Sequence, residues 1–322
     1  MTTKMPPQEE TLITVIVTHF NYAHMIENAL RSVAAQSHTA FECIIVDDFS
    51  NTQNRNELRH IITNLADPRF KLVELSENKG QINAVFEGLS QSSGEFVSII
   101  DPDDLYEPDF LMKMLKCHLN PCVYTSVAAC EMGLFRIGGP VLTRSYVGFK
   151  HDAVLANELA KYEASLLDFG FSKFYPPEIP GWLWATTSSL MFRRDALEAL
   201  RRETYLAHTK IHADTYCVFG AHMLGGTLFV DELLSWRGLH KENSVEVEGV
   251  IYSNQNHHRA NFDDISSEVK TFAMKTLLEN GTFRYLRKKD MANVLRSHFD
   301  KKTIAELLTD HPDIALLVLQ AD

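Results

Sequence analysis

The chain has no Cys-x-x-Cys pair, its first apolar run ends without glycine, and no apolar stretch approaches the roughly 20 residues of a membrane-spanning helix. Without that glycine, neither a dinucleotide fingerprint nor a phosphate loop can be built there, and both nucleotide-binding classes drop out. Cys43, Cys117, Cys122, Cys130 and Cys217 are odd in number and several sit in apolar runs, so they read as free thiols of a reducing compartment. Basic charge is also short. The balance of 31 Lys and Arg against 42 Asp and Glu gives a net charge of -11, which excludes a general nucleic-acid binder. Met1 to Glu10 lacks the apolar core of a signal peptide, so the expected location is cytoplasmic.

What the chain does have is carboxylates at the ends of buried strands. Phe96 to Ile100 is apolar and β-branched, and it runs directly into Asp101-Pro102-Asp103-Asp104, three carboxylates within four residues. Open α/β sheets hold their ligands at the carboxyl ends of their strands. Pro102 keeps Asp101 out of the helical region, so Asp101 and Asp103 are presented on a stiff turn. Close carboxylates repel one another unless a cation or a shared proton relieves them, and a hard divalent ion is the simplest relief. An Asp-x-Asp can also do no more than precede a helix, with Asp109 capping the segment from Phe110 to Cys117.

Three strand–helix units precede this one. Leu12 to Val17 leads to Thr18-His19-Phe20-Asn21 and a helical spacing of Ile26, Ala29, Leu30 and Val33. Cys43 to Val46 leads to Asp47-Asp48, and Phe70 to Leu75 leads to Asn78-Lys79-Gly80, each followed by a helical pattern. The alternation predicts a parallel sheet. After Pro121 the pattern loosens. Cys122 to Ala129 and Thr186 to Phe192 read as strands, Asp195 to Arg201 and Asp214 to Leu224 as helices, and Thr227 to Val230 as a last strand. From about Asn254 the composition is helical, with Thr303-Ile304-Ala305-Glu306 as a capping box.

The ordered set of Thr18 to Asn21, Asp47-Asp48 and Asp101 to Asp104 resembles the family 2 glycosyltransferases of the GT-A fold. The resemblance implies an α/β protein: a mostly parallel, Rossmann-like sheet flanked by helices, with a small C-terminal helical appendage. It also implies an inverting transfer of a sugar from a nucleotide-diphosphate donor, first of all a UDP-sugar, in polysaccharide or glycan synthesis. Carried over residue by residue, Thr18, Phe20 and Asn21 line the base pocket with Asp48 and Gly80, while Asp101 and Pro102 face the ribose and diphosphate. Asp103, with Asp101 and His240, holds Mn²⁺ or Mg²⁺, and Asp214 is the catalytic base. The implied partners are the donor and a carbohydrate or lipid-linked glycan acceptor. Two departures stand out. Val85-Phe86 occupies the place of an Arg-Asn common in the family, and Arg237-Gly238-Leu239-His240 is one residue longer than the usual spacing.

The expected organisation is a tail (1–10), a GT-A domain (11–253) and a helical extension (254–322), the domain dividing into nucleotide-sugar (11–120) and acceptor (121–253) halves. Loops 175–184 and 237–248 are the expected water-excluding lid. Plainer readings stand beside these. Asp47 and Asp48 can form a turn that caps the helix near Gln53, Asp214 can serve only as a helix cap, and His240 only as a loop histidine. Phe169, Phe171, Phe174, Tyr175, Trp182 and Trp184 fit either acceptor stacking or packing. Residues 282 to 302 carry seven Lys or Arg against two Asp, which fits an anionic membrane surface or an ordinary solvated helix face. A sugar nucleotidyltransferase would share the sheet but show a Gly-rich basic loop after the first strand. An inactive GT-A-like binding domain would not need all four of Asp48, Asp101, Asp103 and Asp214.

Overall fold

In a computed structural model, residues 10–145, 167–179, 184, 186–206, 209, 212–241, 259–282, 288–312 and 314–315 are described. The N-terminal tail through residue 9, Trp182, the loop segments 180–183 and 242–248, and residues 283–287 lie outside them.

The four expected units form as read. β1 (Ile13–His19), β2 (Phe41–Asp47), β3 (Phe70–Glu74) and β4 (Phe96–Ile100) pair in parallel, with α1 (Ala23–Ala34), α2 (Thr52–Leu65) and α3 (Gln81–Ser90) between them. Strand side chains alternate between two cores. Ile16, Ile44, Val46, Val97 and Ile99 pack with α3, while Val15, Val17, Cys43, Ile45 and Ile100 pack with α1, α2 and α4 (Phe110–His118). Burial on both faces is why β1, β2 and β4 are rich in β-branched apolar residues, whereas β3, at the edge of the sheet, carries exposed Lys71 and Glu74. In α1 the buried set Ile26, Ala29, Leu30 and Val33 is a single stripe at helical spacing. Asn51, not Asp47 or Asp48, caps α2 by accepting the Asn54 N–H.

The second half departs further from the sequence reading. β5 (Leu105–Tyr106) is a two-residue strand, and β6 (Val127–Arg136) starts five residues later than expected because Thr125 Oγ1 donates to the Val127 and Gly226 carbonyls and closes a turn there. β7 (Val141–Thr143), β8 (Leu167–Asp168) and β9 (Lys173–Tyr175) are short. Residues 187–189 form a 3₁₀ turn, so β10 covers only Leu190–Arg193, followed by α5 (Arg194–Glu198). After α6 (Ala213–Gly225), β11 (Thr227–Leu239) extends far past Val230. Its ladder with β6 shifts register twice between Val230 and Ser235, and this breaks the alternation that would have marked it as one strand. The sheet order is β3-β2-β1-β4-β10-β6-β11-β9-β8. β10 runs antiparallel to both β4 and β6, whereas β6 and β11 run parallel to each other.

α7 (Arg259–Glu279), α8 (Lys288–His298) and α9 (Lys301–Leu307) follow. Val269, Ala273, Met274 and Leu277 join the same core as Tyr216 and Phe219 of α6, and Thr276 Oγ1 receives the Tyr216 hydroxyl. The cap of α9 is Asp300, which accepts the Thr303 N–H, so the helix opens two residues before the expected Thr303 box. Asp109 holds the cap position of α4, but its side chain makes no cap bond and receives the Ser37 hydroxyl instead. Among the expected aromatic cluster, Trp184 is buried with its Nε1–H on Thr227 Oγ1, and Phe169, Phe171 and Phe174 pack against the core, so these rings are structural.

His118 and His222 are buried, His298 is half-buried, and all three are shifted towards the neutral form. Burial first, then Arg193, depresses His118 to about 3; burial and His298 depress His222 to about 3; burial and Lys270 depress His298 to about 4. The unfolded chain therefore binds more protons below about pH 6.5 than the folded one, and stability is complete above that pH and falls as the pH drops towards the folded values. The expected loss is about 2 kcal/mol per histidine by pH 5. Melts at pH 7 and pH 5 should show a marked drop in Tm that is smaller in His118→Asn. An unchanged Tm across this interval would contradict the assignment.

Candidate active site

The carboxyl ends of β1, β2 and β4 lie side by side, with His19 opposite Asp47 and Val17 opposite Ile100 in the ladder. His19 and Asp47 are fully enclosed and pair at 2.7 Å from Nδ1 to Oδ1. Burial raises the Asp47 pKa, but hydrogen bonds from His19 and Ser50 outweigh it and hold the carboxyl below its usual range. This pair fixes the first loop: Tyr22 N–H meets His19 Nε2, Asn21 N–H donates to Ser50 Oγ, and Asn51 N–H donates to Asn21 Oδ1. Asn21 and Phe49 both take positive φ, 60° and 64°, and Phe20 and Phe49 are left exposed on this edge.

Asp48 is buried, and its two oxygens accept the Lys79 N–H at 2.7 Å and the Gly80 N–H at 2.8 Å. Gly80 stands at φ 82° immediately before α3, a conformation that costs a side-chain-bearing residue. The next residue, Gln81, reaches into the site: its Nε2 donates to Asp101 Oδ1 at 2.8 Å and to Thr18 Oγ1 at 3.4 Å. Thr18 and Asp101, joined in the sequence reading only by resemblance, are thus bridged by one amide. Val85 and Phe86 are buried in the core, Phe86 stacked on Tyr205, so the missing Arg-Asn is replaced by packing.

After β4 the Asp101 N–H donates to Ser188 Oγ, and Pro102 is buried. Burial, then repulsion from Asp103 and Asp214, pushes the Asp101 carboxyl up to about 7, with Arg237 and the Gln81 bond pulling the other way. The charge of Asp214 thus acts on Asp101 although 113 positions separate them in sequence. Asp214 lies in the first turn of α6; the cap position is His212, and Asp214 Oδ1 accepts the adjacent Thr215 N–H. Asp104 is buried, and burial with Asp103 and Asp101 drives its carboxyl well above the ordinary range. Asp103 Oδ2 lies 3.0 Å from His240 Nε2, whose ring meets Tyr22 edge-on at 5.5 Å.

Among the described residues no three His, Cys, Asp or Glu side chains form a ready metal cage. The donor set nevertheless fits a divalent cation that completes its shell with ligand oxygens. Asp103 and His240 already touch, Asp101 adjoins them, and the crowded negative charge is what a bound cation relieves.

Residues 14–164 match the model of Glycosyl transferase family 2. The match covers just under half of the chain and includes Thr18, Asp48, Asp101 and Asp103. A glycosyltransferase of Nostoc sp., itself uncharacterized, is 26% identical over 238 residues, 72% of this chain and 66% of that protein. The putative teichuronic acid biosynthesis glycosyltransferase TuaG of Bacillus subtilis is 36% identical over 105 residues, 33% of this chain and 41% of TuaG. The chain therefore spans between about two-fifths and two-thirds of these relatives. S. aureus TarS 1-349 in complex with UDP superimposes with a TM-score of 0.53 at 15% identity, covering 96% of this chain and 87% of that one. The mannosyltransferase PcManGT of Pyrobaculum calidifontis, in complex with GDP-Man and Mn²⁺, does so at 0.52 and 17%, covering 96% and 84%. These two structures show that the chain has the GT-A fold.

Gln81, Ser188, Arg237 and the His19–Asp47 pair belong to this site and were not singled out from sequence. The first two sit where a polar residue ordinarily does no more than start a turn of helix. His19 stands in a quoted loop, but only the fold shows it turned inward.

Proposed function

We propose that the protein is a metal-dependent, inverting hexosyl- or N-acetylhexosaminyltransferase that uses a nucleotide-diphosphate sugar, first of all a UDP-sugar, and acts in cell-surface polysaccharide or glycan synthesis. The observation that carries this reading is the contact of Asp103 with His240 at the carboxyl edge of the sheet, where the turn after β4 meets the end of β11 and the charges of Asp103 and Asp214 act on Asp101. The printed descriptions of relatives support it: TuaG in teichuronic acid biosynthesis, TarS bound to UDP or UDP-GlcNAc, and PcManGT bound to GDP-Man and Mn²⁺. No described helix is long and apolar enough to cross a membrane. We place the protein in the cytoplasm, at the inner membrane face where a lipid-linked acceptor would reside.

Asp101, Asp103 and His240 would hold Mn²⁺ or Mg²⁺, which when bound neutralises charge building on the departing diphosphate. Thr18, Phe20 and Asn21 hold the nucleotide, with Asp48 and Gly80 shaping the wall beside them, and Pro102 stiffens the turn under the diphosphate. Asp214 takes the acceptor hydroxyl proton, and in-line attack inverts the anomeric carbon. A thermal-shift screen of nucleotide sugars with and without Mn²⁺ tests the donor class, because ligand binding to the folded state raises the melting point by mass action. The anomeric configuration of the product, read by NMR, tests inversion. UDP-sugars should shift the melt most, and only with Mn²⁺. No shift with any of them would overturn the reading.

Asp48 gives a separate test. Because both its oxygens secure the turn before α3, Asp48→Ala should lower Tm as well as weaken UDP binding, while the kcat of the saturated enzyme changes little. Wild-type UDP affinity in the folded variant would remove Asp48 from the nucleotide pocket.

A further inference from the structure

The segment from Asp101 to Glu107 is laid against β11 rung by rung. Glu107 N–H donates to the Leu234 carbonyl at 2.9 Å, Tyr106 and Leu105 pair antiparallel with Ser235 and Trp236, and Trp236 Nε1–H closes on Glu107 Oε1 at 2.6 Å. The backbone pairing then stops, because the 101–104 turn, closed by Asp104 N–H on the Asp101 carbonyl, carries the chain away. The next strand amide, that of Gly238, is buried, and such a group needs an acceptor. It finds the Asp104 side-chain oxygen Oδ1 at 2.9 Å, a side chain standing in for the missing backbone rung. Gly238 also lies flat against the Asp103 carbonyl, so that a Cβ there would overlap that oxygen. Two residues on, His240 Nε2 meets Asp103 Oδ2 at 3.0 Å. Gly238 therefore lies against the Asp103 carbonyl and His240 meets the Asp103 carboxylate; β6 pairs with the other edge of this end of β11, and on the edge facing Asp103 the hydrogen bond comes from Asp104.

We propose that Asp104 and Gly238 are positioning residues that seat the end of β11 so that His240 and Asp103 meet as one cation-binding pair, and that Asp104 acts through its hydrogen bond rather than as a ligand. The inference rests on the metal reading proposed above. It gives the fourth residue of the Asp-Pro-Asp-Asp run a role distinct from the first and third. It also accounts for a glycine two positions before the histidine, where any side chain would separate the two strands.

Asp104→Asn keeps an acceptor oxygen at the same place, Asp104→Ala removes it, and Gly238→Ala forces the strands apart. Two measurements on the full chain separate the cases: the Mn²⁺ concentration that half-saturates the UDP-dependent melting shift, and hydrogen exchange of the Gly238 amide in metal-free protein. Asp104→Ala and Gly238→Ala should raise the half-saturating Mn²⁺ at least tenfold, with Asp104→Asn within threefold of wild type. Gly238 exchange should accelerate at least tenfold in Asp104→Ala and stay slow in Asp104→Asn. If Asp104→Asn is as impaired as Asp104→Ala while its Gly238 amide stays protected, Asp104 acts through its charge and the proposal is overturned. Wild-type Mn²⁺ response in a folded Asp104→Ala or Gly238→Ala overturns it as well. Should the wild type show no Mn²⁺ dependence, the donor reading fails, and the amide exchange still decides whether the Asp104–Gly238 bond holds the strand.

Discussion

Asp214→Asn should lose about 10² to 10⁴ in kcat, the range expected when a general base is removed, with UDP affinity and Tm near wild type. The substitution keeps the side chain's shape and its acceptor for the Thr215 N–H, so the first turn of α6 stays in place. What it removes is the capacity to take a proton. The charge of Asp214 helps to raise the Asp101 carboxyl, and under the function proposed above Asp101 and Asp103 hold the donor that the acceptor hydroxyl attacks. Single-turnover rates with saturating donor are the direct measurement. If Tm falls while turnover per folded molecule is normal, Asp214 is a helix-terminal residue and the base is another group.

The larger loss is expected at the metal. Asp103→Ala should abolish measurable transfer and remove the Mn²⁺-dependent part of nucleotide binding, because it deletes the carboxylate that adjoins both His240 and Asp101. The fold should survive, since removing one of three crowded carboxylates relieves repulsion, and the Gly238–Asp104 bond is made by the neighbouring side chain. Isothermal titration of UDP with Mn²⁺ and with EDTA separates the two contributions. Undiminished activity of chelator-treated wild type would remove the metal from the mechanism.

β1, β2 and β4 were legible because burial on both faces writes itself as runs rich in Ile and Val, and Phe96–Ile100 is bounded by Asp101 on one side and Gly94-Glu95 on the other. β11 was not, because its bulges put Asp231 and Glu232 in the middle of a strand, and charge there imitates a turn. The reversal of β10 left no local mark, since direction within a sheet depends on partners far along the chain. In the site, Asp101 and Asp103 were legible because their meaning is carried by adjacent residues: a strand end, a proline and a second carboxylate. The contact of His240 with Asp103 spans 137 positions and came only from resemblance. Gln81 could not be read at all, because its bridge between Thr18 and Asp101 exists only once three strand ends converge.

The central place of β10 bears on how the chain reaches its native state during synthesis. β4 is complete at Ile100, yet one of its edges pairs with Leu190–Arg193, Ser98 meeting Met191 93 positions later. At about 5–20 residues per second, ribosomes take roughly 5 to 20 s to deliver that partner. Through this interval an edge of Phe96, Val97, Ser98, Ile99 and Ile100 faces solvent with open backbone groups, a template for pairing with the same edge of another nascent copy. Chaperone supply and translation speed across residues 101–190 should therefore govern soluble yield more than the stability of the finished protein does.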